Sequence, residues 1–337
     1  MKIDIILGAG HTAAEVTELG DLADSYGLNT FWNQSFPSRR EPLLMMADLT
    51  RSTRNIRLGT LPVSPYEVHP LRLADSLLTF NEMCNGRASV LIGGLGHSVM
   101  RVTALEPARR ITAVRDCVNI LKGISAGEML NYEGECYSLL NYLPEWASDG
   151  PPRVYVGSSG RQMLTMAAQV ADGIMMSDVP VGKMEEVLGH ISRGLEKAGR
   201  ERQDLLLNNF FAWHIKEDAE ASMSEARREL IWRGLLQAWH TEPFLGEERA
   251  AFVEAKKDAF LQAFLRGDDV IEGVPDDIVT ALVENLTFAG GLDAIDRTIE
   301  HLREFERAGL NEIALKVHDE PAAAIRLIGE HLLPTLN

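Results

Sequence analysis

Short apolar runs alternate with longer segments of helical period along the whole chain, eight times over. The runs lie at about residues 3–7, 29–32, 56–60, 89–93, 153–157, 173–176, 205–214 and 312–317. Segments with helical spacing follow each of them, at 12–26, 41–53, 70–83, 108–122, 161–170, 182–198, 218–235 and 321–333. A short unbroken apolar run suits a strand buried on both faces, and parallel strands need a crossover to reach their neighbours. Eight such units predict an α/β protein with (β/α)8 TIM barrel architecture, in one domain over residues 1–337.

Two insertions interrupt the alternation. Residues 128–139, around Tyr132-Glu133-Gly134-Glu135, predict a hairpin after the fourth helix, and residues 234–284 predict a helical insertion between strands seven and eight. The second carries Trp239, Phe244, Phe252, Phe260 and Phe264. These are either ordinary packed faces or the apolar side of a lid or dimer face.

Charge and cysteine usage narrow the function. With 33 basic against 49 acidic residues the net charge is -16, a field that repels nucleic acid and anionic membrane surfaces. Cys84, Cys117 and Cys136 form no paired motif, so a reducing cytoplasm is expected, without a disulfide framework or zinc cluster. The opening run at 3–7 is short and contains Asp4, unlike a signal sequence, and no apolar stretch is long enough to span a bilayer.

In a barrel the chemistry sits where the strands end. Gly8-Ala9-Gly10-His11-Thr12-Ala13 after strand one matches a dinucleotide turn, but strand two ends in Phe31-Trp32-Asn33-Gln34-Ser35 without the acid that such a fold uses. A tight turn under a ligand is the simpler reading. Strand three runs into Leu61-Pro62-Val63-Ser64, where the prolyl bond is either cis or a plain trans turn. Strand four runs into Gly93-Gly94-Leu95-Gly96-His97, which brings backbone close to a flat ligand and sets one imidazole at the rim. Gly157-Ser158-Ser159-Gly160 opens a helix and offers N–H groups and hydroxyls to a phosphate, the alternative being a serine N-cap. Ser177 and Asp178 end strand six, Trp213 and His214 strand seven, and Lys316 and His318 strand eight. A metal-dependent hydrolase barrel is disfavoured because no HxH pair follows strand one.

The ordered set Ile56-Arg57-Leu58-Gly59-Thr60, Ser64-Pro65-Tyr66, His69-Pro70, Leu77-Leu78-Thr79-Phe80-Asn81-Glu82, Asn85-Gly86-Arg87, Gly93-Gly94-Leu95-Gly96, Val154 through Gly160, and Ala171-Asp172-Gly173 resembles the luciferase-like monooxygenase superfamily, in its methylenetetrahydromethanopterin reductase-like branch. The resemblance implies a homodimeric barrel enzyme that uses coenzyme F420 or FMN. It places the ring against Leu61, Pro62, Val63 and Ser64, with Gly94 and Gly96 close by, where relatives often carry a bulge with a non-prolyl cis bond. It places the phosphate on Gly157, Ser158, Ser159 and Gly160 with help from Ser177, and makes His97 the catalytic acid or base.

Many F420-dependent relatives carry an Asp-His pair after strand two, where this chain has Gln34 and Ser35. Gln34 can still hydrogen-bond the ring. The implied function is F420-dependent hydride transfer to or from a small organic substrate. The alternatives are an FMNH2-dependent monooxygenase fed by a separate flavin reductase, and a non-catalytic flavin-binding barrel.

Overall fold

The computed structural model describes residues 1–124, 128–147 and 152–336. Strands β1 (Lys2–Leu7), β2 (Thr30–Gln34), β3 (Arg57–Val63), β4 (Ala88–Ile92), β5 (Arg153–Gly157), β6 (Gly173–Ser177), β7 (Leu206–Trp213) and β8 (Glu312–Val317) fall on the eight predicted runs, with helices between them. The chain divides into two compact units. The first is Asp4–Met175 with Gly189–Leu207; the second is Met1–Ile3 with Met176–Leu188 and Asn208–Asn337.

In the first unit β1 to β5 and the start of β6 pair in chain order, all parallel, with Ile5 opposite Phe31, Gln34 opposite Leu61, Val90 opposite Val154 and Val156 opposite Ile174. Asp4 stands in an otherwise apolar strand and is fully buried. It is satisfied there: Trp32 Nε1 donates to Asp4 Oδ2 at 3.0 Å and Asn29 Nδ2 to Oδ1 at 2.7 Å. The indole needs a glycine beside it, since a Cβ at Gly59 would come within 2.3 Å of Trp32 Cε3. The helix Ala13–Tyr26 is set by a capping box, in which Thr12 and Glu15 satisfy each other's N–H, and it stops at Gly27 with φ +80°. Part of the Asn85-Gly86-Arg87 motif is explained by scaffold, because Arg87 donates to the carbonyls of Cys84 at 2.9 Å and Thr53 at 3.0 Å.

The predicted hairpin is present as Leu130–Tyr132 against Leu139–Tyr142. The buried carboxylate of Asp116 accepts from the N–H of Cys136 at 2.7 Å and from the Tyr132 hydroxyl at 3.0 Å, fixing the loop between the two strands. The expected helix over 41–53 is instead two short turns, Pro42–Met45 and Leu49–Ser52.

In the second unit β7 and β8 are parallel from Asn208 opposite Glu312 to Trp213 opposite Val317, and a short strand, Thr287–Phe288, joins β7 at Ala212 and Trp213. The helix expected over 218–235 ends at Arg228 and gives way to tight turns at Leu230–Trp232 and Gly234–Leu236, where Leu235 and Leu236 take left-handed conformations that a helix cannot hold. Helices Ala238–Leu245, Glu247–Ala255, Lys257–Arg266 and Asp276–Leu286 follow. Their apolar faces close a core that includes Leu230, Val253, Phe260, Ile278 and Leu282, with Phe244, Phe252 and Phe264 packed against it. The sequence reading stopped this insertion at 284 and left the helix Ile295–Arg307 unassigned, although its buried Ile295, Ile299, Leu302 and Phe305 recur at helical spacing.

Candidate active site

In the first unit the pairing of β3 with β4 is regular to Thr60 opposite Val90 and resumes at Val63 opposite Ile92. Three steps on β3 therefore match two on β4, which is a bulge at Leu61-Pro62. Proline explains its position, because it has no N–H to give to the ladder. Leu61, Val63 and Ser64 are buried, whereas Pro62 is exposed. The described peptide bonds are all trans, so the trans reading of Leu61-Pro62 holds; the bulge implied by the resemblance forms here without a cis bond. Gly93 lies alongside: its N–H donates to the carbonyl of Val63 at 2.9 Å, and a Cβ on it would stand 3.3 Å from Pro62 Cβ.

The Gly93–Gly96 turn uses its glycines unequally. A Cβ at Gly94 would touch Met163 Cε at 3.5 Å, while one at Gly96 would meet nothing within 4 Å. Leu95 takes φ +76° with its side chain buried, and Gly96 begins the helix His97–Thr103. The His97 side chain lies outside the described residues. Gln34 is half-buried and lines a narrow cleft with Gly8, Ala9, His11 and Arg40, so the glycine turn after β1 adjoins the end of β2.

The helix Arg161–Val170 has its N-cap at Gly160, which has no side chain to cap it. Ser158 Oγ donates to the carbonyl of Gly160 at 3.3 Å, and its N–H to that of Met175 at 3.1 Å. A Cβ at Gly160 would meet nothing within 4 Å, and one at Gly157 only the Leu91 side chain at 3.4 Å. First-turn N–H groups beside open space are the kind of helix start that can receive an anion. Ser177 belongs to the second unit, where its hydroxyl donates to Asp178 Oδ2 at 2.8 Å. With its one proton so placed, it faces a phosphate only by turning away from Asp178.

A second polar constellation lies wholly within the second unit. Asn208 opposite Glu312, Phe210 opposite Ala314 and Ala212 opposite Lys316 share one face of β7 and β8 by the two-residue period, and His214 and His318 follow. The two imidazoles stack, with centroids 4.4 Å apart and planes 25° from parallel. His214 Nδ1 lies 2.7 Å from Glu225 Oε2, and His318 Nδ1 lies 3.7 Å from Glu229. Glu225 also accepts from Lys216 at 2.9 Å and from the N–H of Asp319 at 3.0 Å. Asp178 is fully buried and accepts from Arg233 at 3.0 Å and from the N–H of Gly234 at 2.8 Å; the Arg233 guanidinium lies 5.2 Å from the Phe210 ring.

Burial shifts the titration of several groups here. It holds both imidazoles below the usual histidine range, His318 the further because His214, Lys316 and Arg233 crowd it. Burial, reinforced by Arg233, pushes the Lys316 ammonium down to about 8, and burial holds the Glu229 carboxyl above its ordinary value. For Glu225 burial acts upward, but His214 and Lys216 outweigh it and lower the carboxyl. Asp178, His214, Lys316 and His318 are legible as strand ends. Arg233, Glu225 and Glu229 are not; the one signal was two glutamates a helical turn apart, which also describes a solvated face.

The profile of the luciferase-like monooxygenase family matches residues 1–312. A 5,10-methylenetetrahydromethanopterin reductase of Archaeoglobus fulgidus is 25% identical over 323 residues, 94% of this chain and 93% of that one. The oxygenase component of a flavin-dependent trigonelline monooxygenase of Acinetobacter baylyi is 24% identical over 225 residues, 63% of this chain and 62% of its own. Among solved structures, the coenzyme F420-dependent tetrahydromethanopterin reductase of Methanopyrus kandleri superposes with a TM-score of 0.82 at 17% identity, covering 100% of this chain and 99% of that one. The fold is accordingly the (β/α)8 barrel read from the alternation.

Proposed function

The chain belongs to the luciferase-like monooxygenase family, and from that premise we propose that it is an oxidoreductase that transfers a hydride between coenzyme F420 and a small organic substrate. The observation that carries this reading is the bulge between Thr60 and Val63 with Gly93 beside it. A planar ring needs a stretch of backbone cleared of side chains, and this is where the first unit supplies one. The helix start at Gly160 fits a phosphate-bearing tail.

When bound, the deazaflavin supplies the hydride chemistry. In this reading Leu61, Pro62, Val63 and Ser64 bear on the ring, Gly94 and Gly96 leave room for it, and the Gln34 amide hydrogen-bonds its edge. Gly157, Ser158, Ser159 and Gly160 seat the phosphate, with Ser177 as an auxiliary. His97 moves the proton that accompanies hydride transfer, giving it in one direction and taking it in the other. The enzyme works as a homodimer in the cytoplasm, where the buried free thiols of Cys84 and Cys117 stay reduced.

A second reading keeps the barrel and replaces F420 by FMNH2 from a separate flavin reductase, with oxygen inserted into the substrate. Gln34 and Ser35 favour it, since they stand where F420-dependent relatives carry Asp and His. Mixing the protein with either reduced cofactor, with and without oxygen, separates the two. Oxidation of reduced F420 by an organic acceptor without oxygen supports the proposal; strictly oxygen-dependent consumption of FMNH2 with an oxygenated product supports the second reading.

A further inference from the structure

The bulge on β3 has little hydrogen bonding left to offer. Pro62 is its exposed residue and carries no N–H. The carbonyls on either side are engaged: Leu61 accepts from the N–H of Ser35 at 2.6 Å, and Val63 accepts from the N–H of Gly93 at 2.9 Å, which engages that donor too. Ser64, the next polar side chain, is 2% exposed, and its Oγ accepts from the N–H of Tyr66 at 3.3 Å. Leu61 and Val63 are buried, so what this segment presents is the apolar pyrrolidine of Pro62. Gly93 keeps that surface clear, since a Cβ there would stand 3.3 Å from Pro62 Cβ. An ordinary residue at 62 would give the bulge an N–H that the strand ladder does not use. Proline removes that donor, and an acceptor laid against the segment loses its water without gaining a partner.

We propose that Pro62 is a specificity-determining residue for the cofactor, favouring a deazaflavin ring over a flavin ring. This deepens the oxidoreductase reading above and rests on it for the place of the ring on the bulge. The two ring systems, equally substituted, differ at a single atom. Oxidised flavin has N5, a hydrogen-bond acceptor, where the deazaflavin has a C–H that asks for no donor. Against a segment without a free N–H the flavin therefore bears a desolvation cost that the deazaflavin escapes. All the residues concerned, Ser35, Leu61 to Ser64 and Gly93, belong to the first unit.

The test uses the full chain and a matched pair of probes, oxidised FMN and oxidised 5-deaza-FMN, which share one tail and differ only at that ring atom. In fluorescence titrations the unaltered protein should bind 5-deaza-FMN at least about tenfold more tightly than FMN, the scale of one acceptor left without a partner. Pro62→Ala restores an N–H at an exposed position and should bring the two affinities within about threefold of each other. Equal affinities in the unaltered protein, or a gap that Pro62→Ala leaves unchanged, overturn the proposal. Should Pro62→Ala fail to fold, Pro62→Ser restores the same N–H and is read in the same way. Titrating F420 in parallel keeps the two readings apart. F420 binding together with equal affinity for the two probes overturns selection by Pro62 alone, whereas binding of neither F420 nor either probe overturns the oxidoreductase reading and this inference with it.

Discussion

The N–H of Ser35 donates to the carbonyl of Leu61 at 2.6 Å, so the end of β2 is fastened to the bulge of β3. That bond joins the two segments on which the cofactor reading turns. The bulge breaks the register of β3 against β4, and the β2 end carries Gln34 and Ser35, which by the resemblance stand where many F420-dependent relatives carry Asp and His. On the proposed reading, the ring seat is held by main chain and its chemistry is left to side chains at its edge.

The phosphate seat is open to a direct test. Gly157→Leu introduces a side chain whose Cβ meets only the flexible Leu91 at 3.4 Å, so the protein should fold normally and keep its melting temperature. Cofactor affinity should drop by at least about tenfold through loss of close backbone approach. Unchanged affinity in a fluorescence titration removes this loop from the site.

His97→Ala should lower kcat by about 10²–10⁴ if the imidazole is the general acid or base, with cofactor affinity retained. Steady-state rates across pH provide the measurement, and the bell-shaped limb belonging to the imidazole should vanish with it. An unaltered kcat returns His97 to a structural role.

The Arg233–Asp178 pair is buried on both sides, with 1% and 0% of the side chains exposed. Arg233→Met leaves Asp178 with the Gly234 N–H and Ser177 but without its counter-ion, and should destabilise the protein by about 3–5 kcal/mol in urea unfolding. Adding Asp178→Asn should recover part of that loss. A double variant no better than the single one contradicts the pairing.

Lys316 gives a pH-dependent stability of predictable sign. Its pKa is depressed from 10.5 to about 8 on folding, so the unfolded chain binds this proton more tightly. The cost of a charged Lys316 is thus present in full below about 8, fades as pH rises toward 10.5, and is absent above it. Lys316→Met should raise the melting temperature near neutral pH, and its advantage should shrink in alkali. A constant difference across that window means the lysine is not desolvated as described.

Legibility followed the range of the interactions. Period and composition reveal what neighbouring residues decide, which is why all eight strands and the glycine start of the helix at 161 could be placed, whereas the short helix His97–Thr103 could not. The bulge is a register fact about β3 and β4 together; Pro62 hints at it, but pairing sets it. Arg233 reaches Asp178 across 55 residues, and nothing local in either segment announces the other. Glu225 and Glu229 give no sign of burial locally, since acids at helical spacing also describe a solvated face and only tertiary contacts turn these two inward. The helix at 295–307 lies between the predicted insertion and the eighth strand, and its amphipathic spacing is legible in the sequence.

The most direct test of the central claim is a pair of equilibrium titrations of the purified protein, one with oxidised F420 and one with FMN. The account predicts micromolar binding of F420 that is weakened in Gly157→Leu, with FMN bound less tightly. Micromolar binding of FMN alone, with F420 unbound, contradicts it.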